Sequence, residues 1–290
     1  MDAHPPMALV TPSFAGDAAR CRVLVESVER YARSPVYHYL LVDARDVDLF
    51  KPLAGPRTLV RPVESLLPDW IRRPADGANH WLSRGQTVLP NWIIQQLAKI
   101  AFARTASEPV VLFADSDVAM VRPFDAASFI RHDAVRLFRI PDFRDDGHDA
   151  WHRVARAWLG LPPPLAGQPN PNYVGNLITW RPGVVDALCR HLEAVAGRPW
   201  MEVLATPHHF SEYILYGTFV EHVLGGETAA GHVVDTRPVC HEYWQPEPLD
   251  DAGLDQFFRG LTAEHLAVMI SARAAINIDR YRELVLNGRA

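Results

Sequence analysis

The segment Pro109-Val110-Val111-Leu112-Phe113-Ala114 carries no polar side chain and runs directly into Asp115-Ser116-Asp117. An apolar run of that length fits a strand buried on both faces, the kind found in parallel α/β sheets. Open sheets of that kind bind ligands beyond the C-terminal ends of their strands, so the two aspartates fall on the functional edge. Alternate residues of an extended chain point the same way, and Asp115 and Asp117 therefore aim at one place. Carboxylates that close repel each other unless a cation lies between them. Mg²⁺ or Mn²⁺, shared with substrate phosphates, is the natural cation for such an all-oxygen site. The plainer reading of the same residues is a turn after a strand, because Asp and Ser are favoured turn formers.

Strand and helix patterns alternate on the N-terminal side of the motif. Met7 to Thr11 is a short apolar run closed by Pro12-Ser13, and Tyr37 to Val42 is a second one ending at Asp43. Between them, Asp17 to Tyr31 places Cys21, Leu24, Val25, Val28 and Tyr31 on one helical face. This β-α-β opening predicts parallel pairing across a crossover helix. Residues 57–63 suggest a third strand, 68–89 a long surface loop, and 91–105 an amphipathic helix. Beyond the motif, strands are expected at 135–140 and 173–180. Helices are expected at 151–159, 184–196, 210–222, 261–270 and 278–286. The alternation argues for an α/β fold.

Composition narrows the function. The net charge is −5 and no run of Lys and Arg occurs, which argues against a nucleic-acid partner. Cys21, Cys189 and Cys240 form no CxxC pair, so reduced thiols are expected rather than a zinc or redox motif. Met1 to Pro6 lacks the basic and apolar stretches of a signal peptide, and no apolar run has the length of a membrane span. A cytoplasmic protein is the expectation.

The placement of Asp115-Ser116-Asp117 resembles the DxD motif of GT-A glycosyltransferases, in which the motif ends a strand and holds the metal on a nucleotide sugar. Four segments are also similar to a little-characterised bacterial family of glycosyltransferases carrying that motif. They are Thr11-Pro12-Ser13, Trp92-Ile93-Ile94-Gln95-Gln96-Leu97-Ala98-Lys99, Asn172-Tyr173-Val174-Gly175-Asn176 and Phe210-Ser211-Glu212-Tyr213. The resemblance spans residues 8 to about 245, and departs from the family at Asn91, where Gly is expected. It implies a mixed sheet flanked by helices in a single GT-A domain over 1–290. Residues 1–125 would form a nucleotide-binding half and 126–290 a donor-sugar and acceptor half. It implies Mn²⁺ or Mg²⁺ as cofactor, a UDP- or GDP-type sugar donor, and a small-molecule or saccharide acceptor.

The resemblance also assigns roles. Asp115 and Asp117 would hold the metal, Ser116 between them would meet the nucleotide-sugar donor, and His241 would be a third metal ligand, with His265 as its rival. Thr11, Pro12, Ser13 and Asp43 would meet the base and ribose. From the residues themselves, Gln96 and Lys99 share a helix face and either reach a phosphate or the sugar or form an exposed polar stripe, and Arg84 is a weaker candidate for the diphosphate. Asn176 would meet sugar hydroxyls. Ser211 reads as a helix N-cap, which puts Glu212 in the first turn. There it would serve as the base of an inverting enzyme, or orient a substrate in a retaining one. Arg20 either reaches the nucleotide or is a surface charge. Trp81, Tyr243 and Trp244 either stack on sugars or fill the core.

Three other classes compete. A haloacid-dehalogenase-type phosphatase also places DxD after an apolar strand and would use Asp115 as nucleophile. Here, however, a βαβ unit precedes the motif and Ala119 stands where Thr or Val is expected. A nucleotidyltransferase would carry a Gly-rich basic segment where Thr11 to Gly16 stands. A non-catalytic carbohydrate-binding protein would have lost its base or a ligand.

Overall fold

A computed structural model describes residues 5–75, 78–207 and 209–288. The chain forms two compact units, each assembled from separated segments: Met1–Pro62, Leu112–Phe129 and Arg237–Ala290 in the first, Val63–Val111 and Ile130–Thr236 in the second. The α/β class expected from the sequence is the observed one. The units do not follow the division at residue 125, because long-range strand pairing ties the C-terminal segment to the first unit. Among the described residues, no helix is long and apolar enough to cross a membrane.

In the first unit, strand Met7–Pro12 pairs in parallel with Val36–Val42, which pairs in parallel with Thr58–Pro62. Leu112 and Phe113 run along the other edge of Met7–Pro12, and the Ala114 N–H donates to the Val10 carbonyl at 3.2 Å. Helix Ala18–Tyr31 makes the crossover. One of its faces sends Cys21 and Val25 into a cluster with Leu40, Val42 and Phe50. Val23 enters a second cluster with Ala119, Val268, Leu254, Tyr281 and Val285. The helix therefore has two apolar faces, and each side chain it withdraws from water contributes about 1.5–3 kcal/mol.

The second sheet of this unit pairs Cys240–Tyr243 in parallel with Ala267–Ile270, and Ala267–Ile270 antiparallel with Val118–Met120. Ala267–Ile270 corrects the helix expected over 261–270. Four consecutive buried residues have no polar position to betray a period, and such short runs fit either element. Helix Asp251–Arg259 was not foreseen. It is capped by Asp250, whose carboxylate accepts from the Gly253 N–H at 2.8 Å. Asn277 likewise caps the expected helix Ile278–Asn287.

The second unit contains the helices Asn91–Thr105, Asp146–Trp158, Pro182–Ala196 and Glu212–His222. Strand Ala134–Phe138 pairs in parallel with His232–Asp235. A polar chain fixes this core. Burial pushes His232 down to about 4, so the ring is neutral at physiological pH. Its Nδ1 lies 2.9 Å from the Val135 carbonyl, which can only accept. Nε2 is then left to accept from the Tyr216 hydroxyl at 2.7 Å. That hydroxyl accepts in turn from the Arg181 N–H, and the Tyr216 ring stacks on Trp180 at 4.8 Å.

Two expectations change here. Residues 68–89 are not a plain surface loop: Trp81–Leu82 and Val88–Leu89 pair antiparallel across a turn where Gly85 and Gln86 take positive φ. Trp81 is buried, with the Arg73 guanidinium 4.5 Å above its ring. The strand expected at 173–180 shrinks to Ile178–Trp180. The Asn172 side chain accepts from the Val174 N–H at 2.8 Å, an Asx turn that competes with extended pairing, and Leu177 adopts a positive φ.

Gly217 lies inside helix Glu212–His222, where Ala would ordinarily stabilise by up to about 1 kcal/mol. Here an added Cβ would collide with the Tyr173 ring. Gly217→Ala should instead destabilise by about 1–3 kcal/mol, read as a lowered urea midpoint. A raised midpoint would mean that the ring moves aside freely.

Candidate active site

The chain leaves the first sheet at Ala114, turns through Asp115-Ser116-Asp117, and enters the second sheet at Val118. The Val118 N–H closes the turn on the Asp115 carbonyl at 3.1 Å. The turn reading of this motif is therefore correct as local structure, and it is also what presents the carboxylates. Asp115 is exposed and Asp117 half-buried. The Asp117 Oδ2 accepts from the Ala272 N–H at 3.0 Å, and its carbonyl accepts from the Ile270 N–H at 3.3 Å. The buried Ser116 hydroxyl donates to Asp17 Oδ2 at 2.8 Å, at the start of helix Ala18–Tyr31.

Burial, and after it the Asp115 carboxylate, pushes Asp117 up to about 7. Burial also raises Asp17, against the Ser116 hydroxyl and Arg20, with Asp115 adding to the rise. Three carboxylates thus feel one another, and Asp117 resists ionisation. A hard divalent cation fits this donor set, because its charge would offset both the burial penalty and the Asp115 repulsion that raise Asp117. Among the described residues, no three His, Cys, Asp or Glu side chains form a ready-made ligand set. Two carboxylates with water and phosphate oxygens completing the shell suit Mg²⁺ or Mn²⁺.

His241 is not gathered with Asp115 and Asp117 into such a set. Its ring stacks on Phe257 at 4.4 Å and lies 5.1 Å from His265. Thr11, Ser13 and Asp43 sit at or just past the C-terminal ends of their parallel strands, as the sequence suggested, but each is engaged within the protein. The fully buried Thr11 hydroxyl shares a hydrogen bond with His38 at 2.9 Å. The Ser13 N–H donates to the Leu41 carbonyl at 2.9 Å, just after Pro12 ends its strand. Asp43 accepts from the Arg45 N–H at 3.1 Å. Arg20 is neither a surface charge nor free to reach a ligand: it is buried and donates to the Ile270 and Ala274 carbonyls.

Within the second unit the structure brings Gln96, Lys99 and Glu212 together. Ser211 is the N-cap expected, its hydroxyl accepting from the Ile214 N–H. The next N–H, of Glu212, donates to Gln96 Oε1 at 2.9 Å. Lys99 Nζ donates to Glu212 Oε1 at 3.1 Å and to the Tyr213 hydroxyl at 3.0 Å. The Lys99 and Glu212 side chains are each 6% exposed. Arg84 pairs with Glu202 at 2.9 Å, lies over the Trp70 ring, and lines a cavity of about 220 Å³ with Arg198. Asn176 is half-buried in the loop before Ile178.

Sequence reasoning missed Asp17, Tyr213 and the Ala272 amide. Tyr213 had a signal, lying beside Glu212 in the quoted segment. A backbone amide has none.

The chain belongs to a family of unknown function, DUF6492, whose model matches residues 6–285. Comparison with curated proteins finds no match. Among solved structures, the chain is similar to mouse xyloside xylosyltransferase 1 in its apo crystal form. The two are 11% identical, the match covers 94% of this chain and 100% of that one, and the TM-score is 0.49.

Two predictions follow from this geometry. Between about pH 4 and 7 a native Asp117 raised to about 7 holds more proton than the unfolded chain. Its contribution to stability is therefore fully present at low pH and is lost as pH rises through 7. In metal-free protein, Asp117→Asn should melt higher than wild type at pH 8 and alike at pH 4. Equal melting at both pH values would refute the raised carboxylate. Separately, Lys99→Met strands a buried carboxylate and should cost about 3–5 kcal/mol, while the pair Lys99→Met/Glu212→Leu should recover most of it. Denaturant melts would measure both.

Proposed function

We propose that this protein is a metal-dependent glycosyltransferase of GT-A organisation, moving a sugar from a nucleoside-diphosphate sugar to an acceptor hydroxyl. The observation that carries the reading is the Asp115–Asp117 turn. It follows a buried strand beside parallel pairing, and it concentrates acid where an α/β sheet binds ligands. Asp117 and Asp115 would hold Mn²⁺ or Mg²⁺. A cation bound there supplies charge neutralisation for the departing nucleoside diphosphate.

The chain's own residues divide the remaining work. The Ala272 N–H and the Ser116–Asp17 hydrogen bond orient the acidic turn. Thr11, Pro12, Ser13 and Asp43 offer backbone and carboxylate groups to the base and ribose. The side-chain bonds of Thr11 and Asp43 within the protein make these two pre-set walls more than flexible donors. Asn176, Gln96, Lys99 and Arg84 are assigned to the sugar and phosphates. For an inverting transfer, Glu212 takes the acceptor proton, which requires the acceptor hydroxyl to displace Lys99 from it. For a retaining transfer, the Lys99–Glu212 pair orients a substrate.

A phosphatase with Asp115 as nucleophile keeps one point in its favour. A proton-holding Asp117 is what its leaving-group step would use. One experiment separates the two. Thermal melts with UDP, GDP, CMP and dTDP, each with and without Mn²⁺, should show a metal-dependent rise for one nucleoside diphosphate, by mass action. Asp117→Ala should remove that rise and abolish sugar transfer without unfolding the protein. No rise with any nucleotide, together with phosphate release from phosphorylated metabolites, would favour the phosphatase.

A further inference from the structure

Arg20 lies on helix Ala18–Tyr31 and is 9% exposed. Its guanidinium donates to the Ile270 carbonyl at 2.9 Å and to the Ala274 carbonyl at 2.6 Å. Those two carbonyls bracket Ser271-Ala272-Arg273. The middle residue of the bracket is the one whose N–H donates to Asp117 Oδ2 at 3.0 Å. One planar cation thus grips both ends of a turn whose apex touches the acidic motif. Arg is suited to that task because its donors form a rigid fork, whereas Lys presents a single mobile ammonium.

The turn is held to the core without it. The Ser271 N–H donates to the Tyr243 carbonyl at 2.9 Å, the Ala274 N–H to the Ser271 carbonyl at 2.9 Å, and the Leu249 N–H to the Ala275 carbonyl at 3.0 Å. Burying a guanidinium is costly, and an apolar side chain would fill the same space at less expense. What the guanidinium adds is one further bond at each end of the turn. Arg20 is also close enough to act electrostatically on Asp117 and Asp17.

We propose that Arg20 is a positioning residue: by stapling the 270–274 turn it holds the Ala272 amide against Asp117 and fixes the direction of that carboxylate. The inference rests on the metal reading of Asp115 and Asp117. Groups that orient a ligand in this way typically change metal affinity by about 10–100-fold when altered.

The test compares metal-free wild type, Arg20→Gln and Arg20→Lys. Two quantities are read: amide hydrogen exchange over residues 271–274, and the Kd for Mn²⁺ alone by electron paramagnetic resonance. Arg20→Gln should speed exchange at Ala272 and weaken Mn²⁺ binding about tenfold, with partial rescue of both in Arg20→Lys. If Arg20→Gln fails to fold, Arg20→Lys carries the comparison, with a smaller change in the same directions. Faster exchange with an unchanged Kd would make Arg20 merely structural and overturn the proposal, as would unchanged exchange. A wild type that binds no Mn²⁺ sinks the metal reading and this proposal together. A wild type that binds, with variants that bind equally, sinks the proposal alone.

Discussion

In the first unit the chain passes from one sheet to the other through Asp115-Ser116-Asp117, and that passage sets charges against each other. A turn between sheets costs little when its side chains face water. This one keeps Asp117 half-buried near Asp115, so the fold carries an electrostatic debt at neutral pH. The neighbouring groups are arranged around it. Ser116 turns inward to Asp17, the Ala272 amide meets Asp117, and Arg20 supplies nearby positive charge. Each of these depends on strand register: Ala267–Ile270 must pair with Val118–Met120 for Ala272 to arrive beside Asp117.

The second unit handles buried charge by another route. Lys99 and Glu212 neutralise each other in the interior of the unit; the Tyr213 hydroxyl accepts a second bond from Lys99, and Gln96 accepts from the Glu212 backbone N–H. Such an arrangement contributes little net stability compared with an apolar pair, but it tolerates no half-measures. Its presence at the start of a helix, on a carboxylate next to the N-cap, is what keeps Glu212 of interest as a chemical group.

Sequence patterns revealed the parts whose physics is local. Helix Asn91–Thr105 appears with the boundaries its periodicity suggested, and Ser211 caps where a Ser before Glu212 should cap. The opening strands and crossover helix followed from apolar runs and turn residues. The failures were of two kinds. Ala267–Ile270 is too short and too uniformly apolar to show a period, so only its neighbours decide that it is a strand. Helix Asp251–Arg259 did have a signal, in Asp250 followed by Leu254, Phe257 and Phe258 at helical spacing. In the first unit Asp115 and Asp117, and in the second unit Lys99, were visible as side chains with chemistry. The bonds around Asp117 were not, because Ala272 acts through its backbone and Arg20, read as a nucleotide contact or a surface charge, spends its donors on carbonyls far along the chain.

The interleaving of the two units bears on synthesis. Every segment of the second unit has been made once residue 236 is reached, whereas the first unit still lacks its C-terminal segment. On the ribosome, the Met7–Pro12, Val36–Val42 and Thr58–Pro62 strands can pair early. Val118–Met120 must then wait with its strand edge uncovered until Ala267–Ile270 emerges. An uncovered apolar edge is a site for mispairing. The acidic turn is therefore finished last, and a chain released early would carry the aspartates without the segment that orients them.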